Sequence, residues 1–167
     1  MKYMSSNFAQ IAFKVILTSL LLVKSSSVYS SELTIWHSVN TYHVDRANDE
    51  ANDENSKVIT VFYNDWFIGS FNNSYSKRSE ILGYKIWKKH WTFNKQQFET
   101  GFSIALATGY GRELWSNIDG IVTLGVSPSI GWSYRLSEDH KLGIDVLYLP
   151  TDNGGVFVSG INVTFIL

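Results

Sequence analysis

Few side chains in this sequence could do acid–base chemistry, and they are scattered along the chain. There is no cysteine, which removes thiol nucleophiles and cysteine-ligated metal sites. The short motifs of serine hydrolases, zinc proteases and nucleotide-binding loops are also missing. No histidine stands at metal-ligand spacing from another ligand residue on a shared face, so the sequence predicts neither a metal nor a cofactor. The four histidines are His37, His43, His90 and His140.

The first two histidines are followed by a strongly charged segment. His37 and His43 have the same parity, and in a straight strand they would lie about 20 Å apart on one face. Arg46 comes next, among acidic residues that extend to Glu54. We interpret Arg46 as a solvated loop charge, or alternatively as a group that binds a lipid phosphate.

The composition restricts the class of protein that must position these groups. The chain has 167 residues, 44% hydrophobic, 17% charged and 15% aromatic, which fits one domain and excludes intrinsic disorder. The absence of cysteine excludes a disulfide scaffold, and a net charge of −1 argues against binding to nucleic acid. So many aromatic and so few charged residues are unusual for a soluble domain.

Residues 1–30 have the features of an export signal. Lys2 and Lys14 provide positive charge, and an apolar run from Val15 to Val23 follows. Val28 and Ser30 fit the small residues before a cleavage site. We therefore expect a signal peptide over 1–30 and one domain over 31–167.

The remainder of the chain alternates with the period of a β-strand. Between residues 97 and 109, large side chains such as Phe102, Ile104 and Leu106 alternate with glycine, serine and alanine. The same pattern recurs over 122–136, 142–148 and 157–167. A face of small residues with few charges is a poor water-facing surface but a suitable lining for a narrow barrel whose large residues face lipid.

Eight strand segments can be counted, and they predict an all-β protein. We expect an eight-stranded antiparallel transmembrane β-barrel of the outer membrane, as a monomer in a Gram-negative bacterium. Pro128 predicts a local gap in strand pairing, because proline cannot donate to the ladder. Most tryptophans lie near predicted strand ends, as an interfacial belt requires. The predicted segments are 33–43, 57–64, 66–74, 79–88, 96–109, 120–136, 141–149 and 155–167.

Three stretches resemble the PagP-like lipid A palmitoyltransferase family. Thr34-Ile35-Trp36-His37-Ser38 is similar to the family's first strand, and Phe71 to Tyr84 to a later serine-containing segment. The C-terminal segment that begins with Val146-Leu147-Tyr148-Leu149-Pro150 is similar to the C-terminal segment of the family. The resemblance implies an outer-membrane acyltransferase that moves a palmitoyl-like chain from a phospholipid donor to lipid A.

The resemblance also implies particular site residues. The family's histidine falls on His37 and its serine on Ser74, whereas its aspartate falls on Asn73. An amide can orient an imidazole but carries no charge, so a slower or different enzyme is expected. His43 is a second candidate for the base. Lys85 falls at the floor of the family's acyl pocket, where a lysine would shorten or hydrate it.

Two other functions are compatible with the sequence. One is a small structural or adhesive outer-membrane barrel, in which Asn73 and Ser74 merely close a loop. The other is a lipid A deacylase. Asn73 and Lys85 favour the structural barrel, and the joint presence of His37 and Ser74 favours the acyltransferase.

Overall fold

The fold consists of strands joined by tight turns at one end. The computed structural model describes residues 31–44, 57–72, 78–109, 117–118, 122–151 and 154–167. The predicted signal peptide, residues 1–30, lies outside these ranges. The strands are β1 (Glu32–His43), β2 (Ile59–Tyr63), β3 (Trp66–Asn72), β4 (Arg78–Phe93), β5 (Gln96–Thr108), β6 (Asn117–Ile118), β7 (Val122–Arg135), β8 (His140–Thr151) and β9 (Gly154–Ile166).

Eight long strands close into an antiparallel barrel, as the sequence predicts. Each strand from β1 to β5 pairs with the next, β5 pairs with β7, and β7, β8 and β9 follow in order. The ring closes between β1 and β9, where Glu32 is opposite Ile166. The two-residue strand β6 pairs only with the start of β7 and adds no strand to the ring.

Two-residue turns hold one end of the barrel together. Asn64 and Asn94 begin these turns with φ of 54° and 53°, a left-handed conformation that asparagine tolerates well. The β4–β5 turn is Asn94–Lys95, so the predicted connection over 89–95 was too long. Alternation alone could not locate this turn, because β4 contains an extra residue between Lys85 and Trp87. The same end, called the turn end below, also holds Ser31, whose carbonyl accepts from the N–H of Leu167.

The outer face of the wall is apolar, as predicted. Phe102, Ile104 and Leu106 are 44%, 38% and 43% exposed, although they are large hydrophobic residues in mid-strand. Matching exposed residues are found on β7, β8 and β9, including Ile130, Ile144 and Ile161. Such a surface is stable in lipid and not in water. Within the described ranges, no helix is long and apolar enough to cross a membrane.

The bore differs from the prediction of a lining of small residues. Glycine, serine and alanine do line it along β5 and β7, but Trp36 on β1 is only 3% exposed and packs with Val156 and Val158 of β9. Trp36 is therefore a core residue and not part of an interfacial belt. Large residues fit here because Gly160 faces Trp36, and a Cβ at Gly160 would collide with the indole ring.

Candidate functional site

His37 lies on the outer face of the barrel among aliphatic side chains. It is opposite Ile59 of β2 and Ile161 of β9, and all three side chains are exposed. Ile35 and Val39, two positions away on β1, are exposed as well. An ionisable side chain on an apolar, lipid-type surface is costly and often marks a functional site.

A backbone carbonyl fixes the orientation of the His37 ring. Nδ1 of His37 lies 3.0 Å from the carbonyl oxygen of Val58. A carbonyl oxygen only accepts hydrogen bonds, so Nδ1 must carry the proton. In the neutral ring, Nε2 then keeps its lone pair and is available as a base. Sequence motifs could not reveal this partner, because it is a main-chain atom.

The Val58 carbonyl is itself held firmly against β1. It also accepts from the N–H of Ser38 at 2.9 Å, and the Val58 N–H donates to Oγ of Ser38 at 2.8 Å. Strand β2 starts at the next residue, and Lys57 just before Val58 has a left-handed φ of 42°. His37 therefore lies beside the last rung that β1 makes with β2.

A β-bulge separates the two histidines of β1. The register with β9 shifts between Ser38 and Asn40, so the alternation of faces is reset there. His43 consequently pairs with Val156, whose side chain is buried in the bore, whereas His37 faces outward. The prediction that His37 and His43 share a face was wrong, because it assumed a straight strand.

The bore beside His37 is apolar. Trp36 points inward and packs with the buried Val156 and Val158. Leu147 and Leu149 of β8 also contact this group, which we call the apolar cluster. Nε1 of Trp36 is buried without a hydrogen-bond partner among the described residues.

The wall next to the apolar cluster is incompletely hydrogen-bonded, which agrees with the gap predicted at Pro128. The β7–β8 ladder ends at the pair Ser129 and Leu147, and Ser129 directly follows Pro128 on β7. Pro150 lies on the facing part of β8. Neither proline has an N–H, so the two strands lose donors in the same region. We call the part of the wall between Pro128 and Pro150 the proline seam.

Ion pairs fill the bore nearer the turn end. Lys85 lies inside, in agreement with its parity with Gly83, and its Nζ is 2.7 Å from Oε1 of Glu99. The same Nζ is 5.3 Å from the centroid of the Phe62 ring. Asp145 accepts from Nδ2 of Asn162 and lies within electrostatic reach of Lys85 and Glu99.

Two further lysines extend these pairs toward the turn end. Nζ of Lys88 lies 2.6 Å from Oδ1 of Asp65. Nζ of Lys141 lies 2.7 Å from Oε1 of Glu32. Strand parity already places Glu99 and Asp145 on the inner face, so alternation was a usable signal for them. It could not show which lysine each carboxylate meets.

The other residues predicted for the site are outside the described part of the chain. Asn73 and Ser74 belong to the segment between β3 and β4, and Arg46 follows β1. The last described serine before them is Ser70 of β3. Ser70 pairs with Ile59 of β2, and Ile59 pairs with His37 of β1. His37 and Ser70 are thus two strand spacings apart, about 10 Å. The roles of Asn73, Ser74, Arg46 and Lys85 stay predictions.

A closed antiparallel barrel with an apolar outer face and a packed, ion-paired bore defines a small membrane-spanning barrel of the outer-membrane type. Among solved structures, the chain is similar to the crystal structure of Neisserial surface protein A (NspA), at 13% identity and a TM-score of 0.48. The match covers 86% of this chain and 100% of that one. No protein-family model and no curated protein matches the sequence.

Proposed function

We propose that this protein is an outer-membrane acyltransferase that moves a fatty acyl chain from a phospholipid to lipid A. The observation that carries the proposal is the outward imidazole of His37, whose Nδ1–H is held by Val58 so that Nε2 is the basic nitrogen. The location in the outer membrane follows from the apolar exterior of an even-stranded barrel with tight turns at one end.

The proline seam gives an acyl chain a route into the barrel. Beyond the pair Ser129 and Leu147 the β7–β8 ladder stops, and Pro128 and Pro150 have no N–H with which to extend it. Leu147 and Leu149 lie behind this part of the wall and belong to the apolar cluster around Trp36. A hydrocarbon chain entering there would exchange lipid for a surface of similar polarity. The ion pair of Lys85 with Glu99 would limit how far it reaches.

The proposed reaction uses His37 first as a base and then as an acid. Nε2 takes the proton from a hydroxyl nucleophile, either Ser74 or the acceptor sugar hydroxyl, as that oxygen attacks the donor ester carbonyl. Collapse of the tetrahedral intermediate breaks the bond to the lysophospholipid oxygen, which receives the proton from Nε2. With Ser74 as nucleophile, a second cycle passes the acyl group to lipid A. The Val58 carbonyl orients the ring but stabilises an imidazolium less than a carboxylate does, so turnover is slow.

Mass spectrometry of lipid A tests the proposal directly. Cells that express the wild type should gain lipid A with one additional acyl chain, and His37→Ala should abolish the gain. His43→Ala is the matched control, because this histidine lies on the same strand but on the inner face. A wild type that leaves the lipid A mass unchanged contradicts acyl transfer, and loss of an acyl chain indicates a deacylase.

A structural barrel is the second candidate, and the ion pairs in the bore favour it. Lys85 and Lys141 each meet a carboxylate in the bore, and Lys88 meets Asp65 of the β2–β3 turn, so these ion pairs tie neighbouring parts of the wall together. Under this alternative, lipid A is unchanged and deletion of the gene alters the integrity of the outer membrane. The deletion strain should then become sensitive to detergents and large antibiotics. Expression of His37→Ala should restore resistance if the barrel is structural, and should not restore it if acyl transfer by His37 is required.

A further inference from the structure

The turn end of the bore contains a small basic cavity, remote from His37. Its volume is about 100 Å³, and Lys95, Arg135 and Lys141 contribute to its lining. The hydroxyl-bearing residues Thr92 and Ser133 line it as well, and no carboxylate belongs to the lining. The polar part of the lining thus combines positive charge and hydroxyl groups with the side-chain amides of Asn94 and Gln97.

Two of the three cations have no ion-pair partner among the described residues. Lys141 is only 8% exposed, and its Nζ bonds to Oε1 of Glu32 at 2.7 Å and to Oε1 of Gln97 at 3.2 Å. Within the described part of the chain, neither Lys95 nor Arg135 forms an ion pair. Among the described residues, the positive charge of Lys141 is therefore balanced by Glu32, whereas the charges of Lys95 and Arg135 beside the cavity are not balanced by an ion pair.

Backbone contacts position these two cations together. The N–H of Arg135 donates to the carbonyl of Lys95 at 2.7 Å, which ties the end of β7 to the β4–β5 turn. Asn94 precedes Lys95 in that turn with its left-handed backbone. The hydroxyls of Thr92 and Ser133 come from strands that both pair with β5 at Gln97. With Lys141 of β8, four strands and one turn thus converge on the same small space.

We propose that this cavity binds a phosphate group. A guanidinium, an ammonium and two hydroxyls are the donors that proteins use for phosphate oxygens. The space holds several water molecules or one tetrahedral oxyanion, and it is too small for a sugar or an acyl chain. The group is either a free phosphate or phosphate monoester in solution, or the phosphodiester of a phospholipid at the adjacent membrane face. This assignment does not depend on acyl transfer.

The test uses the full-length mature barrel, refolded in a detergent without phosphate. Titration calorimetry with inorganic phosphate forms one arm, and titration with short-chain phosphatidylglycerol forms the other. We expect Arg135→Gln to weaken binding about tenfold or more, because a charged donor is lost. Lys95→Gln, at an exposed turn position, should act in the same direction without any risk to the strands. The tighter of the two probes identifies the source of the phosphate.

A matched control removes one cation from the outer face of the same end. Nζ of Lys89 lies 5.2 Å from the centroid of the Trp91 ring and does not line the cavity. Lys89→Gln should therefore leave the affinity unchanged. The proposal is overturned if neither probe binds to the wild type, if Arg135→Gln and Lys95→Gln bind as well as the wild type, or if Lys89→Gln loses as much affinity as they do.

Discussion

Nδ1 of His37 and the carbonyl oxygen of Val58 are 3.0 Å apart, across the last rung between β1 and β2. This contact requires a proton on Nδ1, and it leaves Nε2 of the neutral ring basic. We therefore predict that neutral His37 is the Nδ1–H tautomer. Nitrogen NMR of the refolded barrel with ¹⁵N-labelled histidine measures the tautomer directly, and His37→Gln assigns the signal by its loss.

His140 provides an internal comparison in the same spectrum. Its Nδ1 is 2.9 Å from Oγ of Ser137, and a hydroxyl can either donate or accept, so this contact imposes no tautomer. A signal showing the proton of neutral His37 on Nε2 would remove both the contact with Val58 and the basic nitrogen that acyl transfer needs.

Packing between Gly160 and Trp36 gives a prediction about stability. A Cβ at Gly160 would collide with the Trp36 ring and with the His37 carbonyl, so Gly160→Ala overpacks the bore. We expect a loss of about 1–3 kcal/mol in the free energy of unfolding. Urea unfolding in lipid vesicles, followed by tryptophan fluorescence, measures it. Gly125→Ala is the control, because the nearest atom to a Cβ there is 4.0 Å away; equal losses in both variants would contradict this account of Trp36.

The ion pair between Lys85 and Glu99 should also contribute to stability. Both side chains are about three-quarters buried, and their charged atoms are 2.7 Å apart. Glu99→Gln leaves the Lys85 charge inside the bore without its anion, so we expect a loss of about 1–3 kcal/mol. The double variant Lys85→Met/Glu99→Gln should recover part of that loss, since no unpaired charge remains. If the double variant is less stable than Glu99→Gln, the two residues do not act as a pair.

The proline seam predicts an effect on activity without an effect on folding. Replacing both prolines, as Pro128→Ala/Pro150→Ala, restores two N–H donors and allows the β7–β8 ladder to extend. Acyl transfer measured by lipid A mass spectrometry should fall several-fold, while the heat-modifiable migration of a folded barrel is kept. Ile130→Ala, at an exposed position of the same strand where the β7–β8 ladder is intact, should be nearly silent. Full activity in the double variant would exclude the seam as the route for an acyl chain.

The alternation of β5 and β7 was sufficient to predict the barrel and to predict which face of its wall is the outer one. Phe102, Ile104 and Leu106 face outward because every second residue on their strand is glycine, serine or alanine, so only one face can be the lipid face. Pro128 also marked the end of a ladder correctly. These signals are local, and each depends on one strand alone.

The lining of the bore could not be derived in the same way. Trp36 faces inward because Gly160, far away in sequence, leaves room for its ring. The bulge after Ser38 separates His37 from His43, and its position depends on the pairing with β9. The partner of His37 is a main-chain carbonyl group, which every residue has, so the sequence could not identify it. Each of these features arises from contacts between strands.

The most direct test of the account is the lipid accessibility of the two faces of the wall. Because the chain has no cysteine, single spin labels can be introduced at Ile104→Cys, Ala105→Cys, His37→Cys and Ser38→Cys in vesicles. We predict that labels at 104 and 37 are relaxed by oxygen dissolved in the lipid, and that labels at 105 and 38 are shielded from it. The opposite pattern, with labels at 104 and 37 shielded, would mean that these side chains face the bore. It would contradict both the membrane barrel and the outward position of His37.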